Sequence, residues 1–308
     1  FDVKELTRER QVIIQEIHMY EENPMMHIED LYEQAAFSDS LLGMSIAGPA
    51  KVIATIPRSK LVAYKKSFYE PANMLCVVAG HVDSKTLKIV RQIFGTQKNS
   101  RARFPRITQA RFTPKKILVQ QKKAEQSQIA FGYEGVDHNH KDAAPLELLS
   151  AILGGGMSSR LFIQIRERLG LCYYIKSDVT SYEDTGLFTI YTGLSSKRLP
   201  EAIRAIQKEI KIIRTSAVSK EELVRAKEYL KGKLIMQMEA SEKVAQWYGH
   251  EQLFMRQVKA PTARLQEIDC VTECDILRVA KHVFREGAWS AAGIGPFSHA
   301  QFKSLFGK

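Results

Sequence analysis

The chain has 308 residues, a formal net charge of +11, 44% hydrophobic residues and 26% charged residues. These values exclude a largely disordered protein, and the length favours two folded domains over one. No apolar run reaches the roughly 18 residues that a membrane helix needs, and the four scattered cysteines do not fit a disulfide scaffold. We therefore expect a water-soluble chain with no membrane partner. The unpaired cysteines and the lack of a visible export signal favour the cytoplasm.

The first predicted element is an amphipathic helix over residues 6–22, LTRERQVIIQEIHMYEE. It carries Glu9 and Glu16 seven residues apart, and two helical turns bring such positions back to one face. The two carboxylates can therefore point into a common site. An isolated pair at this spacing is more often two exposed side chains, so other segments have to decide its role.

Residues 73–95, NMLCVVAGHVDSKTLKIVRQIFG, resemble residues 287–308, GAWSAAGIGPFSHAQFKSLFGK. Each segment predicts a strand, a glycine turn and a helix, and a repeated unit of this kind indicates two homologous domains. The second copy, counted from Lys115, has 293 − 115 = 178 residues before its glycine, whereas the first has 79 before Gly80. The difference, 178 − 79 = 99 residues, predicts that the first domain is incomplete in this chain.

A basic stretch at residues 96–116 holds seven lysines and arginines and no acidic residue. Such a stretch can be a nucleic-acid-binding arm, but no aromatic RNA-binding motif or recognition helix accompanies it. We therefore predict a basic interdomain linker over 96–115, between the remainder of the first domain at 1–95 and the second domain at 116–308. Nucleic acid is not an expected partner.

The sequence of the second domain predicts strands, then helices, then a closing strand. The strands lie at 115–121, 127–136, 171–182, 186–194 and 288–295, and the helices at 142–155, 158–170, 199–214, 219–240 and across much of 241–285. Ser219 and Glu222 predict a capping box at the start of the fourth of these helices. This order favours an α+β fold in which helices cover one face of a mainly antiparallel sheet.

A metal-binding histidine motif is absent from the sequence. None of the eight histidines begins H-x-x-E-H, and H-E-x-x-H does not occur either. The nearest match is HMYEE at 18–22, where Glu22 stands in the place of the final histidine. A nucleotide is not expected, because no phosphate-binding G-x-x-x-x-G-K-[ST] loop occurs.

The segment LGGGMSSRLFIQIRERLGLCYY, residues 153–174, resembles the signature of the second domain of the M16 family of zinc metallopeptidases, the inverzincins. The first helix agrees with the same family. The resemblance implies two homologous α+β domains that form a clamshell, with Glu16 as the third zinc ligand and Glu9 as a neighbour that helps to orient a ligand. It also implies that the two histidine ligands and the glutamate base belong to the absent part of the first domain.

The same resemblance implies that Arg166 and Tyr173 reach across the chamber toward the zinc. A guanidinium can hold a substrate carbonyl or carboxylate, and a phenol can donate a hydrogen bond to the oxyanion. Tyr174 alternates to the other face of its strand and is not expected to take part. Gly154, Gly155 and Gly156 would form a flexible loop that lines the substrate chamber. Glycine lets the backbone of the loop approach the chamber without side-chain obstruction and take positive φ angles.

These features predict part of a zinc-dependent metalloendopeptidase that hydrolyses peptides or small unfolded proteins in an interdomain chamber. Zn²⁺ would belong to the intact protein, and this chain alone should bind it weakly or not at all and should be inactive. The alternative is a non-catalytic M16-like subunit, structural or peptide-binding, that partners a separate catalytic chain in a homo- or heterodimer. The pair Glu9 and Glu16 favours the enzyme, because a purely structural subunit has no evident need of a ligand carboxylate.

Overall fold

The computed structural model describes residues 1–95 and 109–306. Its α-helices are α1 (Val3–Glu22), α2 (Pro24–Ala36), α3 (Ala50–Thr55), α4 (Arg58–Phe68), α5 (Ser84–Phe94), α6 (Ala143–Gly154), α7 (Leu199–Thr215), α8 (Lys220–Gln237), α9 (Ser241–Phe254), α10 (Pro261–Cys270), α11 (Glu273–Val283) and α12 (His299–Ser304). A π-helix spans Phe162–Arg168, and the strands are β1 (Ile117–Gln121), β2 (Gln126–Glu134), β3 (Cys172–Ser181), β4 (Gly186–Ser195) and β5 (Trp289–Gly295). None of these helices is long and apolar enough to cross a bilayer.

Contacts between residues divide the described chain into two compact units that interleave along the sequence. The first unit takes in residues 1–18, 47–95 and 233–262, and the second takes in 19–46, 109–232 and 263–306. The sequence predicted contiguous domains, and that division stays a prediction. Most of the predicted linker, residues 96–108, lies outside the described residues.

The second unit is built on a five-stranded sheet with the order β1-β5-β2-β4-β3. β1 runs parallel to β5, and the other neighbouring pairs are antiparallel. In the middle of the sheet, Phe131 of β2 lies opposite Ile190 of β4 and Ala291 of β5. The prediction of an α+β fold with a mainly antiparallel sheet is confirmed.

Strand β4, which lies between β2 and the edge strand β3, explains why both faces of this sheet are covered. All of its residues before Ser195 are buried, because GLFTIYTGL places apolar side chains on both alternations of the strand. Phe188 and Ile190 pack in the main core, together with side chains of α6, α7 and α11. Leu187 and Tyr191 face the opposite way and pack in a second core with α2.

The layer formed by α2 is a finding that the sequence did not predict. Ile28 and Tyr32 of α2 are fully buried in the second core, and Glu29 of α2 accepts a hydrogen bond from Lys176 of β3 at 3.0 Å. The sequence predicted helices on one face of the sheet only. α2 ends at Ala36, far ahead of β1, and nothing in its own apolar pattern identifies the surface against which it packs.

The first unit contains helices and, in its described residues, no strand. Arg10 of α1 donates to the carbonyl of Ile56, and Arg58 donates to the carbonyl of Phe1 at 2.7 Å. The strand predicted at 73–79 is not formed, because residues 74–79 belong to no sheet. A strand needs a neighbour to satisfy its backbone groups, and the described part of this unit offers none.

The apolar side of α5 has little to pack against. The helix is capped by Asp83, whose carboxylate accepts from the backbone N–H of Thr86 at 2.7 Å. No side chain of α3, α4 or α5 is buried, and four apolar residues of α5 are exposed, by 43% at Leu87 to 58% at Ile93. The first unit therefore has helices with apolar faces but no core around α5.

The helix predicted at 158–170 is a π-helix over Phe162–Arg168 rather than an α-helix. The backbone N–H of Leu169 donates to the carbonyl of Gln164, five residues earlier, at 3.2 Å. Leu161 and Ile165 are fully buried, and the three residues after Ile165 are exposed. A segment this short does not let the apolar period distinguish the two helix types, so the sequence could not predict the wider turn.

Candidate functional site

Glu9 and Glu16 lie on α1 in the first unit, two helical turns apart and both exposed. This spacing places them on one face of the helix. Within residues 1–95 and 109–306, no group of three histidine, cysteine, aspartate or glutamate side chains is arranged to hold a metal. The two carboxylates do not make a zinc site by themselves, and the assignment of Glu16 as a ligand with Glu9 as its neighbour stays a prediction.

The other predicted site residues lie in the second unit, where α6 ends and the π-helix leads into β3. Gly154 is the last residue of α6 and is buried. A Cβ at this position would collide with the backbone nitrogen of Ser177 in β3 and would lie 2.7 Å from its hydroxyl. That hydroxyl donates to the carbonyl of Ser150 in α6 at 2.8 Å. Glycine at 154 therefore allows α6 to pack closely on β3.

The open part of the glycine loop is Gly156. Its nearest neighbour, the ring of Tyr229, would be 3.7 Å from an added Cβ, and the next residue, Met157, is 76% exposed. Glycine can adopt a positive φ angle, but none of these three glycines does so. The role of the loop in contacting substrate stays a prediction, and its geometry favours Gly156 over the buried Gly154.

Arg166 lies on the π-helix with its guanidinium in solvent. Its Cζ atom is 4.9 Å from the ring centroid of Phe162, a cation–π contact that supports the side chain without using its hydrogen-bond donors. Burial raises the pKa of the neighbouring Cys172 thiol, while Thr192 and the charge of Arg166 act in the opposite direction. Arg166 is thus close to the first residue of β3 with its donors available.

Tyr173 occupies a bulge at the start of β3. Cys172 pairs with Leu194 of β4, and Tyr174 pairs with the adjacent Gly193, so Tyr173 has no residue opposite it. Its side chain is 55% exposed, and its hydroxyl has no hydrogen-bond partner among the residues that the structure describes. A bulge redirects a side chain away from the regular alternation, and here it leaves a phenol in solvent.

Tyr174, unlike Tyr173, has a side chain that is hydrogen-bonded and partly buried. Its hydroxyl donates to Oε1 of Gln128 at 2.8 Å, its ring packs at the edge of the second core, and its backbone carbonyl accepts from Thr192 at 2.9 Å. Burial raises the pKa of this phenol to about 12. Of the two adjacent tyrosines, only Tyr173 presents a hydroxyl without a partner in the described part of the chain.

An ion pair that the sequence did not predict anchors the segment between the glycine loop and the π-helix. Arg160 donates from Nε and Nη2 to the two carboxylate oxygens of Glu222 in α8 at 2.7 and 2.8 Å. Glu222 also closes the predicted capping box, which is confirmed: Ser219 N–H donates to its carboxylate at 3.1 Å, and its own N–H donates to the Ser219 hydroxyl at 3.2 Å. The sequence predicted the capping box, but it gave no sign that the distant Arg160 pairs with Glu222.

We expect Glu222→Gln to lower the free energy of unfolding by about 1.5–3 kcal/mol at pH 7, the usual contribution of a hydrogen bond to a charged group. Glutamine can still close the capping box, so the loss reports on the charge. Arg160 holds the pKa of Glu222 below its ordinary value, chiefly through the hydrogen bonds. The contribution is present above the unfolded-state pKa, near 4.3, and is lost as the pH falls through the lower folded-state pKa.

Urea denaturation of both proteins at pH 7 and near pH 3 measures this effect, and Glu183→Gln, at an exposed turn, is the matched control. The difference between wild type and Glu222→Gln should shrink on acidification. A difference of equal size at both pH values would show that the ion pair is not its source.

Comparison with known proteins gives matches over almost the whole chain. Residues 55–230 match the family model described as the peptidase M16 inactive domain. An uncharacterized zinc protease of Bacillus subtilis is 30% identical over 286 residues, which cover 93% of this chain and 69% of that protein.

Solved structures share the fold. A peptidase M16 inactive domain from Pseudomonas fluorescens has a TM-score of 0.87 at 18% identity, covering 97% of this chain and 72% of that one. A chain of complex III from Candida albicans has a TM-score of 0.85 at 16% identity, covering 97% and 74%. At these identities the two structures bear on the fold alone.

Proposed function

Because the chain belongs to the peptidase M16 family, we propose that it is the substrate-binding part of a zinc-dependent endopeptidase for peptides or small unfolded proteins. The observation that carries the proposal is the bulge at Tyr173, which exposes a phenol without a partner in the described residues, beside the strand residue that feels the charge of Arg166. In this proposal Arg166 and Tyr173 bind the peptide backbone, and Gly156 lets that backbone approach the loop.

The chemistry of these two side chains suits a peptide carbonyl. A guanidinium carries several N–H donors and a permanent charge, and a phenol carries one O–H donor. Donors that are fixed before the substrate arrives stabilise the negative charge that develops on the carbonyl oxygen when it is attacked. The cation–π contact with Phe162 restricts the side chain of Arg166 in advance, and pairing of β3 with β4 on both sides of the bulge fixes the backbone from which Tyr173 projects.

A zinc site would need ligands in addition to those that the described residues provide. In this proposal Glu16 supplies one carboxylate, and Glu9, two turns earlier on the same helix, helps to orient a ligand. The absence of H-x-x-E-H from the sequence agrees with this division. In this proposal the chain contributes substrate binding and one candidate zinc ligand.

The second candidate function is a non-catalytic subunit that binds peptides or supports a separate catalytic chain. One observation favours it: the matching family model is described as an inactive domain. Under this alternative, Glu9 and Glu16 are ordinary exposed glutamates.

The test is zinc content and cleavage of a quenched peptide, measured for the full-length gene product and for this chain. We expect one zinc and cleavage for the full-length protein, and neither for the chain. Glu16→Gln in the full-length protein should abolish zinc binding, whereas Glu21→Gln, exposed on another side of α1, should not. A full-length protein without zinc or activity would establish the non-catalytic alternative.

A further inference from the structure

A small solvent-open cleft with a cavity volume of about 40 Å³ lies beside the glycine loop in the second unit. Its walls are the end of α6, the residues just after the glycines and the first turns of α8. The lining residues that matter for its chemistry are Ile152, Gly156, Ser159, Glu222, Arg225 and Tyr229. We call this site the loop cleft.

The hydroxyl of Ser159 is a polar group in this lining without a partner in the described residues. The residue is only 4% exposed, and its Oγ is buried with no hydrogen bond. A buried hydroxyl left without a partner costs free energy, so such a group in a native structure calls for an explanation. A bound ligand with an acceptor atom would supply the missing hydrogen bond.

The loop cleft carries one guanidinium, that of Arg225, which is close enough to Glu221 and Glu222 for its charge to help lower the pKa of both carboxylates. Glu222 is paired through both oxygens with Arg160. Arg225 is exposed, and in the part of the chain that the structure describes it forms no hydrogen bond or ion pair. Its guanidinium can therefore offer two parallel N–H donors to a ligand, the geometry that matches a carboxylate.

The apolar part of the lining limits the size of the ligand group. Ile152 is buried beneath the cleft, and the ring of Tyr229 packs beside Gly156, where an added Cβ would lie 3.7 Å from it. There is room for a carboxylate on a short carbon chain rather than for a large side chain.

We infer that the loop cleft binds a carboxylate of the peptide substrate, with Arg225 and the Ser159 hydroxyl as its hydrogen-bond donors. The inference rests on the proposed function, because the ligand is taken to be a peptide held near the glycine loop. Two sources share this chemistry: the C-terminal carboxylate of a peptide, and an aspartate or glutamate side chain within it.

Fluorescence anisotropy with three labelled peptides tests the inference on the 308-residue chain. The first peptide has no acidic side chain and a free C-terminus, the second is its C-terminal amide, and the third is that amide with one internal aspartate. We expect the free acid to bind about tenfold more tightly than the amide. Tight binding of the third peptide would assign the cleft to acidic side chains as well.

Arg225→Gln and Ser159→Ala should each remove most of the discrimination between acid and amide. Both variants should fold, because Arg225 is exposed and the Ser159 hydroxyl has no partner in the described residues. Arg204→Gln, which removes an exposed charge on α7, should leave the discrimination intact. If all three peptides bind equally, or if Arg225→Gln still discriminates, the inference is overturned while peptide binding stands. If no peptide binds, both the inference and the proposed function are wrong.

Discussion

Replacing Tyr173 with phenylalanine in the full-length protein is expected to lower kcat/KM for a quenched peptide by about a hundredfold, the effect typical of losing one oxyanion donor. The bulge leaves this phenol exposed and without a hydrogen-bond partner among the described residues, so its removal should disturb no internal contact. The thermal midpoint should therefore stay close to that of the wild type. Steady-state kinetics and a thermal melt on the same preparation separate catalysis from stability.

Tyr174→Phe is the matched control, because it deletes the same group from the next residue. It removes the hydrogen bond to Gln128 and should cost about 1 kcal/mol of stability, with kcat/KM almost unchanged. If Tyr174→Phe impaired cleavage and Tyr173→Phe did not, the assignment of the two tyrosines would have to be exchanged. Equal, small effects on kcat/KM would exclude a catalytic role for either phenol.

The second large effect is expected at Gly154. Gly154→Ala should lower the free energy of unfolding by about 3 kcal/mol, because the new Cβ would be forced onto the backbone of Ser177 and overpacking of this kind costs about 1–3 kcal/mol or more. The helix propensity of alanine opposes the loss by at most about 1 kcal/mol. Denaturant unfolding followed by circular dichroism measures the difference.

Gly156→Ala is the control for this substitution, two residues away in the same run of glycines. Its Cβ would meet nothing closer than 3.7 Å, so the change in stability should stay within about 0.5 kcal/mol. Equal losses for both alanine variants would mean that a shared property of the loop, and not close packing of α6 on β3, requires glycine.

Local interactions explain what the sequence could predict. The capping box of Ser219 and Glu222 involves residues three apart, and the bounds of α7 and α8 follow from local apolar periods and caps. The alternation within β2 and β4 likewise indicated paired strands. Candidate residues of the site were found through the spacing of a recognised motif, which records their order but not their surroundings.

Long-range interactions explain what the sequence could not predict. The pair of Arg160 and Glu222 joins residues 62 apart, and the bulge at Tyr173 exists only in the register with β4. The segment at 73–79 has the apolar residues of a strand, yet a strand depends on a neighbour that no local pattern can reveal. The Ser159 hydroxyl is unpaired because the described residues packed around it offer no hydrogen-bond partner. No sequence motif could reveal this.

The position of α2 determines which pieces of this polypeptide can exist apart. A fragment beginning at Gln109 would leave the second core open, with Ala130, Ala292 and Ile294 in water, and such a patch promotes aggregation. Conversely, a single proteolytic cut between residues 95 and 109 should not release α2, because the side chains that it buries against the sheet would still hold it there. The matched stretch 55–230 contains neither α2 nor β5, so we expect a fragment with these bounds to lack one strand of the sheet and the helix that covers its second face.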